Sequence, residues 1–398
     1  MSKQWPLKQL GEVCEIRNGA TPATGNAALW GGPHAWITPA EMGSLESPFV
    51  SATRRTLTDE GLAACSATLA PAKSVILSCR APIGHLVINE VPMATNQGCK
   101  SLIPRPFMDY RFLFYFLRSS VDLLDSMGTG ATFRELSAGK LKEVEIPLPP
   151  LAEQKRIVAK LDDVHSCLTS SEERLGSEAS LVGDARRSSV DRLFAQLDAG
   201  MEALEGICDV FADGDWVESK DQSPSGIRLV QTGNIGDGVF KDRREKARWI
   251  SEDTFVRLNC TEVFPGDVLI SRLPDPVGRA CLIPETGDRM ITAVDCTIVR
   301  PKLAILDPEF LVLYTSSSAY EAQVRGKITG TTRDRISRNN LGNLRIPVPT
   351  VAQQREIVAK AEEIGSVLLG LEQTISIRRE RFGDLRQSVL EAAFRGEF

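Results

Sequence analysis

One stretch of this chain is written twice, and that duplication constrains the fold more than any single residue does. Residues 146–164 read IPLPPLAEQKRIVAKLDDV, and 200 residues later 346–364 read IPVPTVAQQREIVAKAEEI. Nine of the nineteen positions are identical: Ile146, Pro147, Pro149, Ala152, Gln154, Ile157, Val158, Ala159 and Lys160 all recur. A repeat at one fixed offset means one structural plan used twice. Prolines a residue apart cannot sit inside a helix or a central strand, so each copy marks the exit from one element and the start of another.

Past the prolines, apolar residues fall at alternating steps of four and three, the seam of a coiled coil. In the second copy this predicts burial of Ile357, Ile364, Leu368, Leu371, Ile375, Phe382, Leu385 and Val389, with Arg378 as the one interruption. The first copy aligns Ile157, Leu161, Val164, Leu168 and Leu175, and places Glu178 where the second has Arg378. Its seam weakens past Ala185, and Gly176 and Gly183 predict a kink or a face left open to partners. Each helix, if continuous, runs about 60–70 Å at 1.5 Å per residue, the length of a spacer. Antiparallel packing of the two would bring Glu178 and Arg378 together as an ion pair that fixes register.

The rest of the chain repeats as well. Residues 75–84 are matched by 268–278, 94–103 by 291–300, and the helix expected over 109–124 by 307–320. Thr-Gly-x-Thr at 129–132 returns at 329–332, and Arg-Ser-Ser-Val at 187–190 is echoed by Arg-Gln-Ser-Val at 386–389. Short apolar runs at 35–38, 74–78, 85–88 and 101–103, set between Gly, Pro and Asn clusters, read as strands. The aromatics of 109–124 (Tyr110, Phe112, Phe114, Tyr115, Phe116) read as helix core rather than a base-stacking platform. The order is therefore a mixed domain over 1–150, a helix over 151–202, a second mixed domain over 203–345 and a second helix over 346–398. A shared frame with diverged loops suggests two readers of one kind and different specificity.

Composition narrows the chemistry. With 42% apolar and 25% charged residues the chain is ordinary globular protein, and no apolar run approaches membrane-spanning length. The first residues lack the apolar core of a signal peptide, and nine scattered cysteines without a CxxC pair read as reduced thiols in the cytoplasm. Three histidines leave little for a zinc site. GTGAT at 128–132 lacks the Lys-Ser/Thr of a phosphate loop, and neither a nucleophile elbow nor a methyltransferase Asn/Asp-Pro-Pro-aromatic quartet is present. The chain is expected not to be an enzyme. Its net charge of −5 requires any DNA-binding surface to be a local basic face.

The combination of Thr-Gly-x-Thr, Leu/Ile-Ser, IPLPPLAEQKRIVAKLD, its copy 200 residues on and the closing SVLEAAFRGEF resembles the specificity subunit of bacterial type I restriction–modification systems. The resemblance covers essentially the whole chain. It implies an α+β architecture of two mixed α/β target-recognition domains separated by two long antiparallel coiled-coil helices, with an internal pseudo-twofold repeat. It implies that each domain reads one half of a split, asymmetric double-stranded DNA site, while the helices set the spacing and dock two methyltransferase subunits. Motor-nuclease subunits then join through the complex. No cofactor is expected on this chain, since S-adenosylmethionine and ATP belong to those partners, and no membrane is involved. Two rivals remain open: a protein-interaction scaffold, and a specificity-like subunit of a DNA methylation system without restriction.

Arg, Asn and Gln on loops are the side chains suited to bidentate contacts with guanine and adenine edges. In the first domain the candidates are Arg17, Asn18, Arg80, Asn96, Gln97, Lys100, Thr132 and Arg134. In the second they are Lys220, Gln231, Asn234, Arg272, Arg333, Arg335 and Arg338. Arg80 and Arg272 fall in matching segments, and Arg134 lies near the position of Arg333.

Overall fold

The computed structural model describes residues 5–65, 67–80, 82–130, 134–329 and 333–398. It divides into two compact units, Met1–Leu175 with Ile377–Phe398, and Gly176–Ser376. Each unit holds one mixed α/β domain and complementary parts of two long helices, Leu151–Ala195 and Val351–Phe394.

The two domains share a frame of one main and one smaller sheet and differ by an edge strand in each. In the first unit the main sheet runs in the order Cys14–Asn18, Cys99–Pro104, Val75–Cys79, Ile83–Asn89, Phe49–Val50. In the second the order is Cys208–Asp213, Cys296–Pro301, Val268–Ser271, Ala280–Leu282. A smaller sheet accompanies each: Arg55–Leu57, Trp30–Ile37, Met93–Thr95 in one, and Gln222–Ser223, Arg248–Ile250, Ile227–Val230, Met290–Thr292 in the other. The central strands Val75–Cys79 and Val268–Ser271 are buried along their whole length, which is why both read as unbroken apolar runs rather than alternating ones. The strands expected at 35–38, 74–78, 85–88 and 101–103 all fall on observed strands.

The helix expected over 109–124 is two helices, Tyr110–Ser119 and Val121–Ser126. Ser120 breaks it, at φ −104° and ψ 10°. Asp109 caps the first by accepting from the Arg111 and Phe112 amides. Its aromatics are core: Phe112, Phe114, Tyr115 and Phe116 are all buried.

The repeated motif has a clear physical purpose. Gln154 is fully buried, and its amide satisfies three backbone groups that no helix or sheet can reach. It accepts from the Asp109 amide at 2.7 Å and donates to the carbonyls of Phe107 (3.0 Å) and Pro149 (2.9 Å). Gln354 makes the same three bonds, to the Asp307 amide (2.7 Å) and the carbonyls of Ile305 (2.7 Å) and Pro349 (2.9 Å). Each glutamine pins the start of a long helix to the loop that opens the core helix of its domain.

Within each unit the helical segments pack antiparallel. In the first, Arg156 donates to the Phe398 carbonyl at 2.7 Å and Arg386 pairs with Glu172 at 2.9 Å. In the second, Arg186 pairs with Glu372 at 3.0 Å. The seam is narrower than its sequence pattern. Buried side chains recur every seventh residue, at Leu161, Leu168, Leu175 and Val182 on one helix and at Leu368 and Ile375 on the other. Ile157 is also buried, while Val164, Ile357, Ile364, Phe382 and Val389 are half-buried. Leu371 and Leu385 are instead exposed, at 48% and 47%, and Glu178 and Arg378 are exposed as well. The second apolar position of the heptad stays at least half-buried at Ile157, Val164, Ile357 and Ile364, near the helix starts, and is exposed farther along, at Glu178, Leu371, Arg378 and Leu385. Glu178 belongs to the second unit and Arg378 to the first.

The first long helix is continuous through Gly176 and Gly183, since one glycine per two turns weakens a helix without ending it, and Gly183 lies exposed on its surface. One further expectation is corrected. The echo of 187–190 in 386–389 is one residue out of structural register. Both helices are unbroken, so the 200-residue offset persists to their ends, pairing Arg186 with Arg386 and Phe194 with Phe394. Phe394 lies edge-on against Phe112 and Phe116 at 5.1 and 5.4 Å, and Phe194 packs on Phe310 and Tyr314 at 5.3 and 5.0 Å.

Candidate nucleic-acid interface

Most of the candidate residues gather at one corner of the main sheet, and the corner is built the same way in both units. In the first, Asn18 stands opposite Lys100 and Arg17 opposite Ser101 at the end of their strands. The chain then turns at Gly19, whose amide donates to the Cys99 carbonyl. A Cβ at Gly19 would lie 1.9 Å from the Asn96 carbonyl oxygen, so only glycine fits. The neighbouring strand reaches the same corner through Cys79, and Arg80 opposes Glu135 across an isolated bridge, with guanidinium and carboxylate 3.4 Å apart. In the second unit Gly214 makes the same turn, where a Cβ would meet the Ala293 carbonyl at 2.3 Å. Arg272 occupies the place of Cys79 rather than of Arg80, one residue short of the expected match: its carbonyl accepts from the Ile336 amide as that of Cys79 accepts from Leu136.

The side chains at this corner divide into those free to reach a ligand and those already spent on the protein. Gln97 is exposed and accepts from the Thr21 hydroxyl. Arg17 is half-buried, tied to Glu15 at 2.7 Å and to the Leu69 carbonyl at 3.1 Å. Arg134 folds back on Asp125, bonding its carboxylate at 2.9 Å and its carbonyl at 2.7 Å. Asn96 braces its turn by accepting from the Gly98 amide at 2.9 Å. Arg333 is exposed beside Arg335, which pairs with Asp295 at 3.0 Å, and Arg338, which lies 3.9 Å from Asp213. Thr132 lies outside the described residues.

Three candidates are buried and bonded within the protein. Lys100 is 4% exposed and donates to Asn18 Oδ1 at 3.2 Å. Arg272 is 4% exposed, with its guanidinium on the Val294 carbonyl and 3.4 Å from Asp213. Asn234 is buried, accepting from the Gln231 amide and donating to the Lys241 carbonyl, both at 2.9 Å. Turning any of the three toward a base edge would first break these buried contacts, which counts against them as readers. Gln231 and Lys220 stand on the smaller-sheet side instead, Gln231 half-buried and Lys220 exposed and paired with Glu218 at 2.7 Å.

Sequence reasoning missed two features. The acidic side chains of the corner, Glu135 in one unit and Asp213 and Asp295 in the other, decide which arginines are held and how. The other is the segment 241–248, KDRREKAR, which presents Lys241, Arg243, Arg244, Lys246 and Arg248 as exposed cations. Arg244 is bound to Asp288 at 2.9 Å. The run was legible as a local excess of basic residues, but a small positive balance in a net-acidic chain is easily passed over.

Asp215, next to Gly214, is half-buried and accepts from the Thr261 amide at 3.2 Å. Burial pushes its carboxyl up from 3.8 to about 6, with the Thr261 bond pulling the other way. A raised carboxyl pKa favours the protonated group in the folded chain. The stability it contributes is therefore fully present below 3.8 and is lost as pH rises through about 6. Asp215→Asn is expected to remove that component, flattening the pH dependence of melting temperature between 4 and 6. Identical slopes in variant and parent would show that Asp215 does not titrate in this range.

Among the described residues, no helix is long and apolar enough to cross a membrane, and no group of three or more His, Cys, Asp or Glu is placed to hold a metal.

A family model described as "Type I restriction modification DNA specificity domain" matches this chain twice, over residues 2–178 and 200–378. The chain therefore belongs to the type I restriction–modification DNA specificity family. Among named relatives, it is 35% identical over 161 residues to the type I restriction enzyme MjaIX specificity subunit of Methanocaldococcus jannaschii, covering 40% of this chain and 37% of that protein. It is 24% identical over 339 residues to the EcoBI specificity subunit of Escherichia coli, covering 78% of this chain and 70% of that one. The fold is that of a chain solved in work on complex assembly and conformational transition of the type I R-M system, with TM-score 0.73 and 21% identity over 99% of this chain and 98% of that one. It is also similar to the HsdS subunit of Thermoanaerobacter tengcongensis, with TM-score 0.53 and 21% identity, covering 99% of this chain and 97% of that one.

Proposed function

We propose that this chain is the non-catalytic DNA-reading subunit of a type I restriction–modification complex in the cytoplasm. Each domain reads one half of a bipartite, asymmetric site on double-stranded DNA. The long helices set the distance between the halves and dock two methyltransferase subunits, through which motor-nuclease subunits join. S-adenosylmethionine and ATP are held by those partners. The observation that carries the reading is the sheet corner built twice on one backbone plan with different side chains. Arg80 and Glu135 hold it in one unit, and Arg272, Arg335, Asp213 and Asp295 in the other. One frame with two charge patterns is what two different half-sites require. Gln97, Arg333, Arg335 and Arg338 are the corner candidates this reading puts first for base contacts, with residues 241–248 positioning phosphates.

The test is adenine methylation across the genome of a host expressing the chain with its methyltransferase subunit, and the same host without the chain. A split, asymmetric methylated motif that disappears without the chain is expected. Methylation unchanged by its removal would favour a protein-interaction scaffold instead.

A further inference from the structure

The two units differ sharply at one equivalent place, where the long helices meet the core helix of each domain. In the first unit this space is closed. Arg111 and the Tyr115 hydroxyl both bond the Asp162 carboxylate, at 2.6 and 2.7 Å, and Arg118 and His165 fill the remainder, leaving about 20 Å³. The matching residues of the second unit follow from the repeat, with Asp307 corresponding to Asp109 and the helices offset by 200. Arg111, Tyr115 and Arg118 become Glu309, Leu313 and Ser316, while Leu161, Asp162 and His165 become Ala361, Glu362 and Gly365. Large side chains are replaced by small ones, and the result is a cavity of about 340 Å³ over Leu313, Ser316, Ala361 and Gly365. It continues into a more open lobe of about 580 Å³ edged by Glu309, Glu362 and Leu369.

The charge changes with the volume. Two guanidinium groups are gone, and a carboxylate stands where Arg111 was. The cross-helix pair Arg186–Glu372 matches Arg386–Glu172 of the first unit and is already neutral. Among the described residues neither Glu309 nor Glu362 has an ion-pair partner. The helix surface alongside changes too: Cys167, Thr169 and Ser171 correspond to Val367, Leu369 and Leu371, which are 63%, 50% and 48% exposed. A cavity, two unanswered carboxylates and adjoining exposed aliphatic side chains describe a surface awaiting a cationic group on an apolar stem.

The geometry points to a docking surface that the second unit has and the first has closed with its own side chains. Its occupant is a partner segment that places an arginine guanidinium between Glu309 and Glu362 and packs aliphatic side chains on Val367 and Leu369. The partner is one of the methyltransferase subunits, an identification that rests on the function proposed above. The two methyltransferase sites are therefore unequal in affinity.

The test titrates full-length chain with methyltransferase subunit, followed by calorimetry and native mass spectrometry. Ser316→Arg with Gly365→His restores the closure found in the first unit, and Glu309→Arg answers Glu362 from within. The parent is expected to take up two subunits with distinct affinities, and each variant to weaken one of them at least tenfold while the other holds. Glu309→Arg alters only an exposed side chain, so it carries the test if the double variant lowers the melting temperature. Two equal sites in the parent, or unchanged affinities in Glu309→Arg, would overturn the surface. A parent that binds no methyltransferase subunit overturns the functional assignment, and this surface with it.

Discussion

Replacing Gln154 with leucine is expected to destabilise the first unit by about 3–5 kcal/mol, because three backbone groups, one buried and two partly buried, lose their partners at once and each costs about 1–3 kcal/mol. Leucine fills most of the same volume, so the loss reports hydrogen bonding rather than a cavity. The two units need not unfold together, so the readout is hydrogen exchange in the helices Tyr110–Ser119 and Leu151–Ala195, alongside the urea midpoint. Gln354→Leu should move the corresponding loss to Pro308–Thr315 and Val351–Phe394. Unchanged protection near either glutamine would mean that the repeated motif is held by its prolines and apolar residues alone. The effect is large because the amide of each glutamine ties three chain segments together at one buried point.

The second large effect concerns DNA. Changing Arg243, Lys246 and Arg248 together to glutamine is expected to make the dependence of log affinity on log salt shallower by about 2–3, at roughly 0.9 for each phosphate no longer neutralised. Binding should weaken for cognate and unrelated DNA alike, with the methylated motif unchanged, because phosphate contacts position without specifying. These three cations are exposed and, among the described residues, engaged in no ion pair, so their removal costs the fold little. An unchanged salt slope in the assembled complex would place the DNA on another face. A changed motif with an unchanged slope would make them base readers instead.

The duplicated architecture was legible because its cause is local. Prolines end a strand, heptads follow, and a buried glutamine recurs at one offset. The strands were legible for a related reason: Val75–Cys79 and Val268–Ser271 are buried throughout, so their composition carries the message without help from neighbours. The seam was overread. Leu371 and Leu385 obey the heptad rule yet stand exposed, because periodicity records a face and not what covers it. Arg272, Lys100 and Asn234 looked like base readers because residue type is visible in a sequence and burial is not. The acidic partners that hold such arginines come from elsewhere in the chain, Asp213 lying 59 positions from Arg272 and Asp295 40 from Arg335, and no local pattern links them.

The division of the chain into Met1–Leu175 with Ile377–Phe398, around an uninterrupted Gly176–Ser376, sets an order of events during synthesis. The second unit is one continuous segment and can close as soon as residue 376 clears the ribosome. The first must wait, with its core helix uncovered, for Phe394 to reach Phe112 and Phe116 and for the Phe398 carbonyl to reach Arg156. At bacterial-type elongation rates of about 5–20 residues per second, some 200 residues of intervening chain amount to about 10–40 s of exposure. The earliest domain to be made is thus the last to be finished. Loss of Phe394 and the residues after it therefore falls on the domain some 280 residues earlier in the chain, and not on the one that immediately precedes it.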